Sequence, residues 1–213
     1  MKTYPIMLKL QGRRAVVIGA GAVGLRRARK LLDAGAEVTL AAAEIPAGAD
    51  TSGMTVLRRG YHREILNGAF LVLACTDDRA INSRIAADAR SAGAMVNVAD
   101  GPQDCDFFLP AVYEEGDVVV AVGTGGLAPA MAVEIRDRLA DALPPRVGEF
   151  AEAIGRLRGP LRDRIKNPAM RMEITKKLCG PCGQTAFQAG GAEALATMLE
   201  GLVKLLEGRG EVP

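Results

Sequence analysis

Gly19-Ala20-Gly21-Ala22-Val23-Gly24 has the G-x-G-x-x-G spacing of a turn that sets backbone N–H groups against a pyrophosphate. The first glycine permits the tight turn, the second lets the backbone approach the phosphates, and the third lets the following helix pack closely. With 25 glycines in the chain the spacing also arises by chance, and a plain helix-capping turn is the bland alternative. The flanks favour the dinucleotide reading, because the strand-like run Arg14 to Ile18 precedes the turn and a helical pattern opens at Ala22.

Two more polar clusters follow predicted strands. Thr76-Asp77-Asp78 follows an apolar run from Ala69 to Cys75, and Asn97-Val98-Ala99-Asp100-Gly101-Pro102 closes another from Ala94. Ligands of open parallel sheets bind at the carboxyl ends of strands, so Gly19, Gly21, Gly24, Thr76 and Asp77 are expected at one cofactor edge. Asp100 is the candidate catalytic carboxylate, within reach of a nicotinamide; its plain alternative is a turn-forming Asp before Gly-Pro. Glu44, twenty residues after Gly24, either takes the ribose hydroxyls or caps a turn before Pro46. No basic residue lies between Ala41 and Ala49, which favours NAD over NADP.

These residues need a scaffold. Strand and helix signals alternate to about residue 100: strands near 14–18, 37–42, 55–58, 69–75 and 94–98, helices near 22–33 and 79–91. Leu25, Ala28, Leu31 and Leu32 recur at helical spacing, and Gly35 and Gly93 end the two helices. The expected class is α/β, a doubly wound parallel sheet. From Phe107-Phe108-Leu109-Pro110 the pattern changes, with a turn at Glu114 to Asp117, an apolar strand from Val118 to Val122, and a helix from Pro129 to about Leu143 stopped by Pro144-Pro145. The remainder reads as helices broken at Gly159-Pro160, Pro168, Gly180-Pro181 and Gly190-Gly191. In the last of them Leu195, Leu199, Leu202, Val203 and Leu206 form an apolar stripe, with Glu193, Glu200, Lys204 and Glu207 outside it.

Composition narrows the classes. A hydrophobic fraction of 49% with 24% charged residues describes a globular chain, and 4% aromatic content with no Trp argues against a base-stacking, nucleic-acid-binding surface. The net charge of +2 carries no global message, but residues 151–178 hold eight basic side chains against three acidic ones, suited either to a polyanionic ligand or to a solvated helix face. Met1 to Leu10 shows no targeting segment and no run is long enough to span a bilayer, so a cytoplasmic protein is expected. Cys179-Gly180-Pro181-Cys182 has C-x-x-C spacing without a strand before it or further zinc ligands nearby, and is expected to be incidental; no metal site is expected, and His62, the one histidine, stands in a segment with no ligand spacing.

Taken together, Tyr4-Pro5-Ile6, Gly12-Arg13-Arg14, the glycine turn, Arg26-Arg27-Ala28-Arg29, Leu31-Leu32-Asp33-Ala34-Gly35-Ala36, Ala74-Cys75-Thr76-Asp77-Asp78, Asn97-Val98-Ala99-Asp100, Cys105-Asp106-Phe107 and Thr124-Gly125-Gly126 with Pro129 resemble the precorrin-2 dehydrogenase family, the N-terminal module of siroheme synthases. The match runs over about residues 4–158. The resemblance implies a Rossmann-like domain over 1–112, a small α+β dimerisation segment over 113–145 and a helical C-terminal domain over 146–213 that walls the substrate cleft. It implies a homodimer that oxidises precorrin-2 to sirohydrochlorin with NAD, and in some relatives also inserts iron. It places Gly21, Ala22, Val23, Ala43 and Glu44 at the cofactor and makes Asp100 the main catalytic candidate, as proton acceptor or as orienter of the ring. Because the substrate carries eight carboxylates, Asn97, Thr124, Gly125, Arg156 and Arg162 are candidates for holding it. Relatives often carry Ser-Gly-Gly and a second hydroxyl before the proline, where this chain has Thr124-Gly125-Gly126-Leu127-Ala128-Pro129. The fused methyltransferase of larger siroheme synthases is not expected. Rival readings are an NAD-binding regulatory module, which would carry an acidic tip on the second strand where Ala41 to Ala43 stand, and a tetrapyrrole-binding redox sensor built on the C-x-x-C pair.

Overall fold

A computed structural model describes residues 3–207, leaving residues 1–2 and 208–213 and the side chain of Glu207 outside the described residues. The chain divides into two compact units, Met1–Leu109 with Gly125–Leu127, and Pro110–Thr124 with Ala128–Pro213.

The first unit carries β1 (Arg14–Ile18), α1 (Ala22–Asp33), β2 (Glu37–Ala42), β3 (Thr55–Arg58), β4 (Leu71–Ala74), α2 (Arg79–Ser91) and β5 (Met95–Val98). All neighbours pair in parallel in the order β3-β2-β1-β4-β5. The chain winds outward from β1 to β3 and then returns to place β4 on the other side of β1. The switch point therefore lies between β1 and β4, where the crevice of such a sheet binds its ligand. The strands read as near-continuous apolar runs because both faces are covered. Ala15 and Val17 pack with Ala28 and Leu31 of α1 on one face. Val16 and Ile18 pack with Ile85, Ala86 and Ala89 of α2 on the other. Full burial of each Leu, Ile or Val side chain here stabilises the unit by roughly 1.5–3 kcal/mol. This is the doubly wound sheet that the alternation of strand and helix signals predicts.

The second unit carries the antiparallel pair β6 (Ala111–Glu115) and β7 (Val118–Val122), then α3 (Pro129–Asp141), α4 (Val147–Arg164), α5 (Pro168–Cys179) and α6 (Pro181–Glu207). Two expectations change here. The apolar run at Val118 is half of a hairpin, whose first strand, ending in Glu114 and Glu115, lacks the apolar density of its partner; Gly116 makes the turn at φ +58. The helix expected to break at Gly159-Pro160 instead runs through it, with Pro160 inside α4. A proline there removes a backbone hydrogen bond at a cost of about 3 kcal/mol or more. Packing offsets the loss, because Phe150, Ala153, Leu157 and Leu161 hold both sides of the proline in the helical core with Ile174, Phe187 and Leu195. The expected breaks at Pro168 and Gly180-Pro181 do separate helices, and α6 leaves helical geometry at Gly190 and Gly191.

Candidate active site

The glycine turn joins β1 to α1 at the switch point. Gly19 sits at φ +105, and a Cβ on it would overlap the carbonyl oxygen of Cys75 at the end of β4. A Cβ on Gly24 would overlap the carbonyl oxygen of Gly19, so the third glycine lets the helix close onto its own turn. Gly21 differs, since a Cβ there meets nothing within 4 Å. Gly21 is the N-cap of α1, no side chain caps that helix, and its first turn holds no acidic residue. The first-turn N–H groups, with Ala22 and Val23 exposed beside them, are thus presented without a side-chain partner. An uncapped helix start with the positive end of its dipole beside an open glycine suits the pyrophosphate of a dinucleotide.

Across the switch point, β4 and β5 bring two loops together through a residue that the spacing arguments overlook. Asn82, on α2, is only 1% exposed. Its Nδ2 donates to Asp100 Oδ1 and to the Thr76 carbonyl, each at 3.0 Å, while its Oδ1 accepts from Thr76 N at 3.1 Å and from Thr76 Oγ1 at 2.7 Å. Asp78 caps α2, its carboxylate accepting from Ala80 N and Ile81 N, and Asp77 is exposed. The signal for Asn82 was in the sequence: with Ile85, Ala86 and Ala89 it completes the apolar face of α2, where a polar residue needs partners.

A second bracket runs from α1 to β5. Arg27 Nη1 donates to Asn97 Oδ1 at 3.0 Å and lies 3.5 Å from Cys75 Sγ. Asn97 in turn donates through Nδ2 to the Phe107 carbonyl at 2.8 Å, and at 4% exposure its carboxamide is engaged on both sides. In the sequence Arg27 is one of three arginines in the run Arg26 to Arg29, and its spacing alone does not point to Asn97. Burial pushes the Cys75 thiol up; the Arg27 guanidinium opposes that shift and the Asp100 carboxylate adds to it.

Ala43 and Glu44 follow β2 and are exposed. The register sets Arg58, the last residue of β3, beside Ala42, so the sheet brings a basic residue to the strand end that the local run Ala41 to Ala49 lacks.

The other candidates belong to the second unit or its boundary. Thr124 Oγ1 accepts from Ala128 N at 3.2 Å, and Gly125 and Gly126 both take positive φ. Arg156 and Arg162 are exposed on α4, paired with Glu152 at 3.1 Å and with Asp163 at 3.9 Å. Elsewhere in the basic stretch Arg171 donates to the Ile165 and Lys166 carbonyls and Arg164 pairs with Glu200 at 2.5 Å, so these two hold helices together. Cys179 and Cys182 are exposed free thiols at the junction of α5 and α6. Exposed His62 precedes a short 3-10 turn over Arg63–Leu66. Among the described residues no three His, Cys, Asp or Glu side chains group to hold a metal ion, and no helix is long and apolar enough to cross a membrane.

Comparison with known proteins gives three results. A family model described as putative NAD(P)-binding matches residues 6–111. The siroheme synthase of Methylococcus capsulatus is 37% identical over 205 residues, covering 94% of this chain and 43% of that protein. That of Pseudomonas entomophila is 37% identical over 209 residues, covering 94% of this chain and 45% of that protein. The chain therefore spans less than half the length of these curated relatives. Among solved structures, SirC, a precorrin-2 dehydrogenase, superposes with a TM-score of 0.73 at 21% identity, over 93% of this chain and 99% of that one, which establishes the shared fold.

Proposed function

We propose that the chain, whose curated relatives are siroheme synthases and whose fold is shared with a precorrin-2 dehydrogenase, belongs to the precorrin-2 dehydrogenase family and oxidises precorrin-2 to sirohydrochlorin, with NAD as the hydride acceptor. The observation that carries the reading is the joining of Asp100, past the end of β5, to the loop after β4 through Asn82, on the strand-end edge that also carries the uncapped glycine turn.

In this account the first-turn N–H groups at Gly21, Ala22 and Val23 bind the pyrophosphate, with Gly19 and Gly24 shaping the turn. Ala43 and Glu44 meet the adenosine ribose, and Thr76 and Asp77 line the cofactor edge. The chemistry supplied by bound NAD would be that of a hydride acceptor for the tetrapyrrole. The matching proton goes to the Asp100 carboxylate, held in place by the Asn82 carboxamide, so two electrons and two hydrogens leave the substrate. Asn97, tied to Arg27 and the Phe107 carbonyl, braces the loop that carries Asp100 and bounds the substrate side. Thr124, Gly125, Arg156 and Arg162 meet substrate carboxylates, the two exposed arginines as bidentate donors. A cytoplasmic, reducing compartment suits the four free thiols.

The three-part organisation, 1–112, 113–145 and 146–213, belongs to the same proposal, with the middle segment joining two copies. Met131, Ile135 and Leu139 recur every four residues along α3 and are 53%, 37% and 45% exposed, an apolar face suited to a second copy of the chain. Leu139→Arg should convert a dimer to a monomer in analytical ultracentrifugation. Iron insertion, the second activity of some relatives, would use Asp100 as the base for the pyrrole protons. The test of the dehydrogenase reading is anaerobic incubation of the protein with precorrin-2 and NAD. One NADH per sirohydrochlorin supports it, and an unchanged spectrum refutes it. Fe(II) with sirohydrochlorin then decides the second activity against the protein-free rate.

A further inference from the structure

Asn82 is a polar side chain buried in an apolar helix face, and its four contacts leave no part of the carboxamide unused. Its orientation is dictated by chemistry. The backbone N–H of Thr76 can only donate, so the atom 3.1 Å away must be the carboxamide oxygen, which turns the NH2 group toward the Thr76 carbonyl and Asp100. One planar group thus ties the loop after β4 to the loop after β5. Asp78 fixes the start of the helix that carries it, through hydrogen bonds of 2.8 and 3.1 Å to Ala80 N and Ile81 N. We infer that Asn82 is the positioning residue of the site: its Nδ2 aims the Asp100 carboxylate, and its Oδ1 locks Thr76 of the cofactor loop to the same frame.

The inference rests on the reading of Asp100 given above. An aspartate on an exposed loop samples several rotamers, whereas one oxygen pinned from a buried amide keeps the other in a fixed direction. Loss of that bond should therefore reduce turnover more than substrate binding. Asn82→Asp is the sharpest change, since it keeps the size and the oxygen toward Thr76 N but presents an oxygen to Asp100 and to the Thr76 carbonyl where a donor stood. Asn82→Ser serves as the second variant if Asn82→Asp does not fold. Steady-state kinetics with precorrin-2 and NAD, beside a thermal-unfolding check, give the readout.

The folded variant should lose about tenfold or more in kcat with KM for precorrin-2 within about twofold, a split that a merely structural loss of active protein would also approach. The direct NAD titration and the Asp100 background make the distinction. Asn82→Asp should still bind NAD at full stoichiometry, and Asn82→Ala should lower kcat in the wild-type background while adding no more than about twofold in the Asp100→Ala background. A folded variant with wild-type kcat overturns the inference, as does a parallel loss of kcat and NAD-binding stoichiometry. Should Asp100→Ala itself turn over normally, the reading of Asp100 fails; should Asp100→Ala be inactive while the Asn82 variants are not, only the role of Asn82 falls.

Discussion

Gly24 faces the carbonyl oxygen of Gly19 so closely that a methyl group at position 24 would overlap it, while a methyl group at Gly21 would meet open space. The two glycines therefore answer to different constraints, one to the fold of the turn and the other to whatever approaches it. Gly24→Ala should unfold at lower temperature and bind NAD poorly, because a backbone oxygen cannot give way as a side-chain end can. Gly21→Ala should keep its stability within about 1 kcal/mol, the scale of a helix-cap change, yet lose NAD affinity. Calorimetry and NAD titration of the two variants separate these outcomes; equal stability for both would contradict the turn geometry.

Glu44 lies past the end of β2, where Arg58 of β3 stands in register with Ala42. With Glu44 at the ribose as proposed, removal of the carboxylate would take away both a partner for the ribose hydroxyls and a repulsion against a ribose phosphate. Glu44→Ala should weaken NAD and narrow its advantage over NADP by about tenfold, or roughly 1.4 kcal/mol. Titration with both nucleotides checks this, and an unchanged preference would remove Glu44 from the cofactor site.

Leu195 is fully buried among Phe150, Ile174, Leu178 and Phe187. Leu195→Ala should destabilise the second unit by about 2–5 kcal/mol, the range for a large-to-small change in a packed core. Denaturant unfolding gives the value, and a loss below 1 kcal/mol would mean that the helices do not share one core.

Cys179 and Cys182 are exposed free thiols at the junction of α5 and α6. The double variant Cys179→Ser/Cys182→Ser should keep wild-type turnover and show no response to a dithiol reductant. A large loss of activity would revive the redox-sensor reading that the C-x-x-C spacing raises.

The first unit was legible because its signals agree at every level: strands of four to six residues, a glycine turn, and helices that stop at Gly35 and Gly93. The hairpin was half legible. Val118 to Val122 reads as a strand, but Ala111 to Glu115 ends in two carboxylates and pairs only once Gly116 turns the chain. Pro160 misled for the opposite reason, since local backbone preference yielded to packing on both sides of it. At the site, strand-end position led to Thr76 and Asp100 but not to Asn82 or Arg27, which act from helices and reach the strand ends through space. The burial of Asn82 was readable from the helical period of Ile85, Ala86 and Ala89, whereas its partners depended on the sheet order.

Asp100 is proposed to take the proton as the hydride leaves for NAD. The direct measurement is kcat for NADH formation from precorrin-2 under anaerobic conditions, wild type against Asp100→Ala, with the fold verified by thermal unfolding and the cofactor site by NAD titration. Asp100→Ala should fold, bind NAD normally and turn over about 100-fold or more slowly, the scale of a lost general base; wild-type turnover by this variant would contradict a proton-accepting role for Asp100.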